Sequence, residues 1–318
     1  MIVNLNTAGS VAVFLVAIFG VFAALQRQAA ARGQFGRPPD LQNLKKLVIF
    51  GDSLSDNGNS FVKQAVPPAP YYSGRWTNGL NWVDLLPMVA RQFSAATAFF
   101  QNNGTNFAVG GSTTEILATQ INFFLQSVGG KAVADNLHII WIGANDFKAG
   151  IAPSMTVQNI RKGIAKLSNA GAKNILVLNI PDISLTPNVI ALGASTAGSA
   201  RQFVFLTNML LQLQIPLLGW LHGINLSLVD INSIFTQIVS SPEEFRFKSS
   251  SGAAFDTNTG VIIPDPGKEV FWDGFHPTTH AHFIAAGFVY EAIGSRYPMR
   301  ETIPLASFGP AAHGMGLV

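Results

Sequence analysis

Four short apolar runs, Lys46–Phe50, Leu137–Ile142, Asn174–Ile180 and Leu226–Ile231, alternate along the chain with longer amphipathic stretches. Runs of this length without polar alternation fit strands covered on both faces rather than one solvated face. Glu115–Val128 sets Ile116, Leu117, Ile121, Phe124, Leu125 and Val128 on one helical face after Thr113 and Thr114 as caps. Val157–Ala170 is amphipathic and stops at Gly171. Ala200–Leu221 is apolar almost all round, with a narrow stripe at Arg201, Asn208, Gln212 and Gly219 and an expected kink at Pro216. Thr278–Ile293 reads as the last helix. Strand–helix alternation with buried strands implies an α/β fold with a parallel sheet between helices. A shorter strand is expected at Asn106–Val109. Ligands of such sheets bind at the carboxyl ends of the strands.

Composition agrees with a packed domain. Hydrophobic residues make up 48% and charged residues 12% of 318, which excludes disorder. The formal charge of +3 comes largely from Arg27, Arg32 and Arg37, and the remainder is near neutral. No nucleic-acid partner is expected. The absence of cysteine removes disulfides, thiolate metal sites and cysteine nucleophiles.

Ahead of the alternation, Val11–Leu25 is apolar apart from Gly20. It is shorter than the roughly 20 residues a membrane span needs and fits the apolar core of a signal peptide, although residues 1–10 lack Lys and Arg. Residues 1–26 are expected to be a signal peptide or N-terminal anchor. Residues 27–40 read as a linker, 41–297 as one folded domain and 298–318 as a tail. A secreted or extracytoplasmic location follows, with anchoring by residues 11–25 as the alternative.

Four strand ends carry the chemistry. Leu47–Phe50 breaks at Gly51 into Asp52-Ser53-Leu54-Ser55, presenting a serine at a sheet edge near free backbone N–H groups. The same residues could simply cap a turn. Asn106–Val109 turns through Gly110 and Gly111, whose N–H groups can point at an anion. Trp141-Ile-Gly-Ala-Asn145-Asp146 ends another strand with short polar side chains. Asp273 lies three residues before His276, so on a tight loop it can reach Nδ1 and orient the ring as a base for a serine. Each motif alone has a structural reading as loop or turn; a serine, a glycine turn, an asparagine and Asp-x-x-His in one order are far more specific.

The chain resembles the SGNH hydrolases, the GDSL-type esterase and lipase family. The resemblance lies in Gly51-Asp52-Ser53-Leu54, Gly111, Gly143-Ala-Asn145-Asp146 and Asp273-Gly-Phe-His276-Pro277. Connecting stretches from Gly74 to Asp84, Asn179 to Pro187 and His276 to His282 resemble the lipase and haemolysin-like branch. The resemblance implies a flavodoxin-like three-layer sandwich of about five parallel strands with helices on both faces. It implies Ser53 as nucleophile, His276 as base and Asp273 as its orienter. The Ser53 and Gly111 N–H groups and the Asn145 amide would form the oxyanion hole. Some relatives carry a cysteine in the stretch matching Ser249–Asp256, and this chain does not.

The expected activity is serine-dependent carboxylic ester hydrolysis on a small-molecule or lipid ester, without cofactor or metal. Contact with a membrane or lipid surface fits such a substrate. Acyl transfer from the same site is the alternative, and a catalytically silent surface-anchored binding protein is a further one. Neither Gly-x-Ser-x-Gly, a Walker A loop nor Gly-x-Gly-x-x-Gly occurs. His276, His280 and His282 have metal-like spacing, but Pro277 separates the first from the helix of the others. His280 and His282 are therefore expected on a helix surface or behind the site. Pro67–Trp76 should form an aromatic loop near the site mouth, and Phe203–Leu221 should line an acyl groove through Phe205, Leu211 or Leu218. That arrangement would favour medium or long acyl esters.

Overall fold

The computed structural model describes Leu44, residues 46–90 and residues 93–296. The expected leader, linker and tail lie outside these residues. Four parallel strands, β1 (Leu47–Gly51), β2 (Leu137–Trp141), β3 (Asn174–Leu178) and β4 (Asn225–Val229), pair in sequence order. The stretch expected as a short strand runs parallel along the free edge of β1. Ile49 N–H donates to the Thr105 carbonyl at 2.9 Å, and Phe107 N–H donates to that of Ile49 at 2.8 Å. With that edge counted, the spatial order is 2-1-3-4-5. The chain reverses direction across the sheet between β1 and β2, the crevice where ligands of doubly wound sheets bind.

Ten helices are used below, numbered along the chain. They are α1 (Asn59–Gln64), α2 (Trp82–Val89), α3 (Phe99–Asn102), α4 (Leu117–Ser127) and α5 (Ala144–Lys148), then α6 (Pro153–Asn169), α7 (Pro187–Ala191), α8 (Ala194–His222), α9 (Ile231–Ser240) and α10 (Thr279–Arg296). Side-chain alternation along the strands divides the core in two. Leu47, Ile49, Ile139, Leu176 and Leu178 pack with α2, α9 and α10 on one face. Val48, Phe50, Ile140, Ile175 and Val177 pack with α4, α6 and α8 on the other. The three-layer α/β architecture is therefore as expected, and β1 to β3 are buried along their whole length.

Several details differ. The strand expected to reach Ile231 ends at Val229, where Asp230 caps α9 by accepting from Ser233 N–H at 3.2 Å. The helix expected from Glu115 starts as a 3₁₀ turn, and Thr113 makes no side-chain cap bond. α8 begins at Ala194 and remains helical through Pro216. Helices α2 and α9 were not anticipated, nor was a second parallel pair, β5 (Ser249–Ala253) with β6 (Glu269–Phe271).

One buried group gives the fold a pH dependence. His138 on β2 is fully buried, edge-on to Phe124, with Nδ1–H donating to the Asn174 carbonyl at 3.2 Å and Nε2 without a partner. Burial pushes its pKa down from 6.5 to about 4. Because the unfolded imidazole takes a proton below 6.5, the contribution of a neutral His138 is intact above that pH and is lost progressively towards 4. Relative to His138→Phe, the unmodified protein is expected to lose about 1.4 kcal/mol per pH unit across this window. Urea unfolding of both proteins between pH 7 and 4.5 measures it, and parallel stability curves would remove His138 as the cause.

Candidate active site

β1 delivers the serine. A Cβ at Gly51 would lie 2.5 Å from the Trp141 carbonyl, so only glycine lets the strand end pass so close to β2. Beyond it, Asp52 turns the chain: its Oδ1 accepts from Leu54 N–H at 3.0 Å and its carbonyl accepts from Ser55 and Asp56 N–H. Burial pushes the Asp52 carboxyl up to about 7. The next acid, Asp56, is fully buried and accepts from the N–H groups of Gly58, Asn59, Ser60 and Gly110 and from the Ser60 hydroxyl.

Those contacts fix the second strand-end turn. Gly110 N–H is occupied by Asp56 Oδ2 at 2.9 Å and Ser60 Oγ at 2.8 Å, so it is not the free donor that the sequence suggested. Gly111, at φ +75°, is different. Among the described residues, the N–H groups of Ser53 and Gly111 donate to no protein acceptor. Asn145, at the start of α5, donates one amide hydrogen to the Ser112 carbonyl at 3.1 Å, leaving the other unassigned. Its neighbour Asp146 is fully buried. It accepts from Thr114 N–H at 2.8 Å, from Thr114 Oγ1 at 2.5 Å and from Thr156 Oγ1 at 2.7 Å.

The last loop closes the site. His276 Nε2 lies 2.9 Å from Ser53 Oγ, and His276 Nδ1 lies 2.7 Å from Asp273 Oδ2. Since a carboxylate only accepts, Nδ1 carries the proton and Nε2 is left to accept from the serine hydroxyl. Asp273 Oδ1 accepts from the N–H groups of Phe275 and His276, both at 2.7 Å, and Oδ2 also accepts from the Tyr71 hydroxyl at 2.5 Å. Burial opposes ionisation of Asp273, but His276 and these donors outweigh it and hold the carboxyl down at about 2. Trp76 tilts over His276, with ring centroids 5.3 Å apart. The expected placement of the Pro67–Trp76 loop beside the site is thus observed.

Ser53, Gly111, Asn145 and His276 open onto one cavity of about 840 Å³. Its wall is mainly apolar, with Leu54, Ile183, Val189, Leu192, Ile234, Ile238 and Ala281 among its lining. The expected acyl groove on α8 is not there. Leu211 and Leu218 are buried in the core of the opposite sheet face, and Phe205 faces solvent. His280 and His282 are both buried rather than on a helix surface. His280 packs on Phe247, and His282 lines the cavity. Among the described residues, no group of three His, Asp or Glu is placed to hold a metal.

A parallel sheet with a serine, an imidazole and a carboxylate linked in series at its switch point has the layout of a serine hydrolase. The model of the GDSL-like lipase/acylhydrolase family matches residues 47–287, and the chain belongs to that family. A phosphatidylcholine-sterol acyltransferase of Aeromonas hydrophila is 28% identical over 76% of this chain and 72% of its own length. The thermolabile hemolysin of Vibrio parahaemolyticus is 26% identical over 78% of this chain. The match spans 64% of that relative, just under two thirds of its length. A GDSL esterase/lipase of Arabidopsis thaliana is 26% identical over 88% of this chain and 93% of its own.

The sequence motifs contained Asp146 but gave it no task; here it ties α5 to the turn carrying Gly111. Asp146→Ala leaves the Thr114 N–H and hydroxyl without their acceptor and Thr156 Oγ1 with only the Ala152 carbonyl at 3.4 Å. We expect a loss of about 2–4 kcal/mol in stability together with a fall in esterase kcat. Chemical unfolding and kinetics on one sample check this, and unchanged stability would detach Asp146 from the turn.

Proposed function

We propose that the protein hydrolyses carboxylic esters through an acyl-Ser53 intermediate. The observation that carries this reading is the continuous series Ser53 Oγ, His276 Nε2, His276 Nδ1 and Asp273 Oδ2, at 2.9 and 2.7 Å, beside two unused N–H groups. Ser53 Oγ attacks the ester carbonyl as its proton passes to His276 Nε2. The tetrahedral oxyanion is held by the N–H groups of Ser53 and Gly111 and by the second Asn145 amide hydrogen. Collapse breaks the bond to the alkoxy group, which leaves as an alcohol with the proton from His276. Water then adds to the acyl carbonyl, again giving a proton to His276, and the acid departs as Ser53 recovers its hydroxyl hydrogen.

The likeness to an acyltransferase supports a second outcome of the same intermediate, in which an alcohol replaces the water. Product analysis with and without an alcohol acceptor separates the two. Lipid esters presented at a surface fit the exposed Leu192 and Phe275, which also line the cavity. An extracytoplasmic location, supported by the apolar run Val11–Leu25, belongs to the same proposal.

Ser53→Ala is expected to abolish both ester hydrolysis and labelling by a fluorophosphonate. Ser55, two residues on, is fully buried and accepts from Trp82 Nε1–H, so it is not a substitute. Labelling that survives Ser53→Ala and disappears in Ser55→Ala would move the nucleophile.

The cavity supports a preference for acyl chains longer than acetyl. A buried methylene is worth about 0.8 kcal/mol. Half of that, retained in the transition state over four methylenes, raises kcat/KM roughly tenfold from C4 to C8. Ile234→Trp, which fills the cavity wall on α9, should erase the gain while leaving C2 turnover nearly unchanged. A profile that is flat or falling from C2 to C8 in the unmodified protein rejects the acyl assignment.

A further inference from the structure

Asp273 has more donors than orienting one imidazole requires. Two backbone N–H groups pin Oδ1, while Oδ2 is shared between His276 Nδ1 at 2.7 Å and the Tyr71 hydroxyl at 2.5 Å. Tyr71 lies 202 residues away in sequence, on the proline-rich loop, and does not line the cavity. It therefore reaches the chemistry only through the carboxylate. Its ring is set edge-on against Trp76, Phe255 and Trp272, at centroid distances of 5.9, 5.8 and 6.1 Å. Phe255 and Trp272 stack on each other, and the Phe255 N–H donates to the Trp272 carbonyl at 2.7 Å. Trp272 immediately precedes Asp273. One aromatic cluster thus fixes both the donor and the base of the loop that bears its acceptor.

We propose that Tyr71 is a positioning residue which divides the charge of Asp273 Oδ2 with His276 and so sets the pH at which the site begins to work. This role rests on the Ser53–His276–Asp273 reading. A phenol has a single proton, and the carboxylate can only accept, so the direction of this bond is fixed. Donation into Oδ2 draws charge from the atom that faces the imidazole, and the carboxylate then stabilises an imidazolium less than it would if unshared. The other ionisable groups around the dyad are Asp52 on the serine turn and His282 on α10, with Asp146 beyond Asp52. No hydrogen bond joins Tyr71 to any of the three. A change confined to its hydroxyl therefore acts on Asp273.

The test compares kcat/KM against pH for the full chain and for Tyr71→Phe, using a soluble nitrophenyl ester. Removing the hydroxyl keeps the aromatic packing and returns the whole Oδ2 charge to the ring. The acid limb is expected to move up by roughly half a pH unit, with KM unchanged because Tyr71 lines no part of the cavity. A second protein carries 3-fluorotyrosine at position 71, which preserves size and fold but makes the phenol a stronger donor. Its acid limb should move in the opposite direction, and this protein decides the matter if Tyr71→Phe does not fold. An acid limb that stays in place, an equal loss of rate at every pH, or a change confined to KM overturns the role. The Ser53→Ala control separates the two levels. If fluorophosphonate labelling survives there, the reading of the site itself fails. If labelling is lost while the limb does not move, only the role of Tyr71 fails.

Discussion

The Gly110–Thr114 turn hangs between two fully buried carboxylates, and much of the site's geometry follows from that suspension. Asp56 holds the Gly110 end and Asp146 the Thr114 end. A buried carboxylate is tolerated only when donors replace its lost water. Burial drives the Asp56 carboxyl up from its ordinary value, and hydrogen bonds from Ser60, Gly58 and Gly110 oppose that. The compensation is also what makes the fixture rigid, because one carboxylate joins the donors of Gly58–Ser60 to the N–H of Gly110, far away in sequence. Gly110 is drawn so near Trp76 that a Cβ there would lie 2.5 Å from the indole Nε1. Gly111, one residue on, is left with its N–H unused and with open space where a Cβ would stand. The Gly111 N–H is left free because its neighbours on both sides, the N–H groups of Gly110 and Ser112, are already committed.

This arrangement also explains what the sequence made legible and what it concealed. The four paired strands could be read because a parallel sheet covered on both faces demands uninterrupted apolar runs. Ser53, Gly111, Asn145, Asp273 and His276 could be named because local motifs carry them and family resemblance assigns them roles. Tyr71 and Asp146 contact partners distant in sequence, as Asp56 does at Gly110, and nothing in a local pattern marks such a pair. Helix α2 was hidden by Pro87 in its interior, although Asn81 and Asp84 form a capping box at its start. Helix α9 was hidden because its first residue, Ile231, prolongs the apolar run of β4.

The misplaced acyl groove has a similar cause. α8 is more apolar than a helix with one covered face needs, and that excess suggested a ligand surface. Instead Leu211, Ile215 and Leu218 pack into the sheet-side core, while Phe205, Leu217, Trp220 and Leu221 stand exposed. Composition reported the excess correctly but could not say on which side of the sheet a cavity would open. That depends on how the helices of the other face are spaced.

On that other face, cavity and core are the same material. Trp141, Ile231, Ile234, Ile238, Val270 and Ala281 belong to the core cluster and also line the cavity. The pocket is thus a region where the packing of α9 and α10 on the sheet is incomplete, ending at the serine where β1 stops. Unfilled apolar volume forfeits dispersion contacts and weakens the fold. An acyl chain entering it supplies the missing contacts with no new polar partner required. The polar end of the site behaves in the opposite way, since its donors are placed by buried carboxylates before any substrate arrives. On the proposed reading, fit at the reacting carbonyl is set by rigid hydrogen bonding, whereas fit along the acyl chain is set by how much empty core remains to be filled.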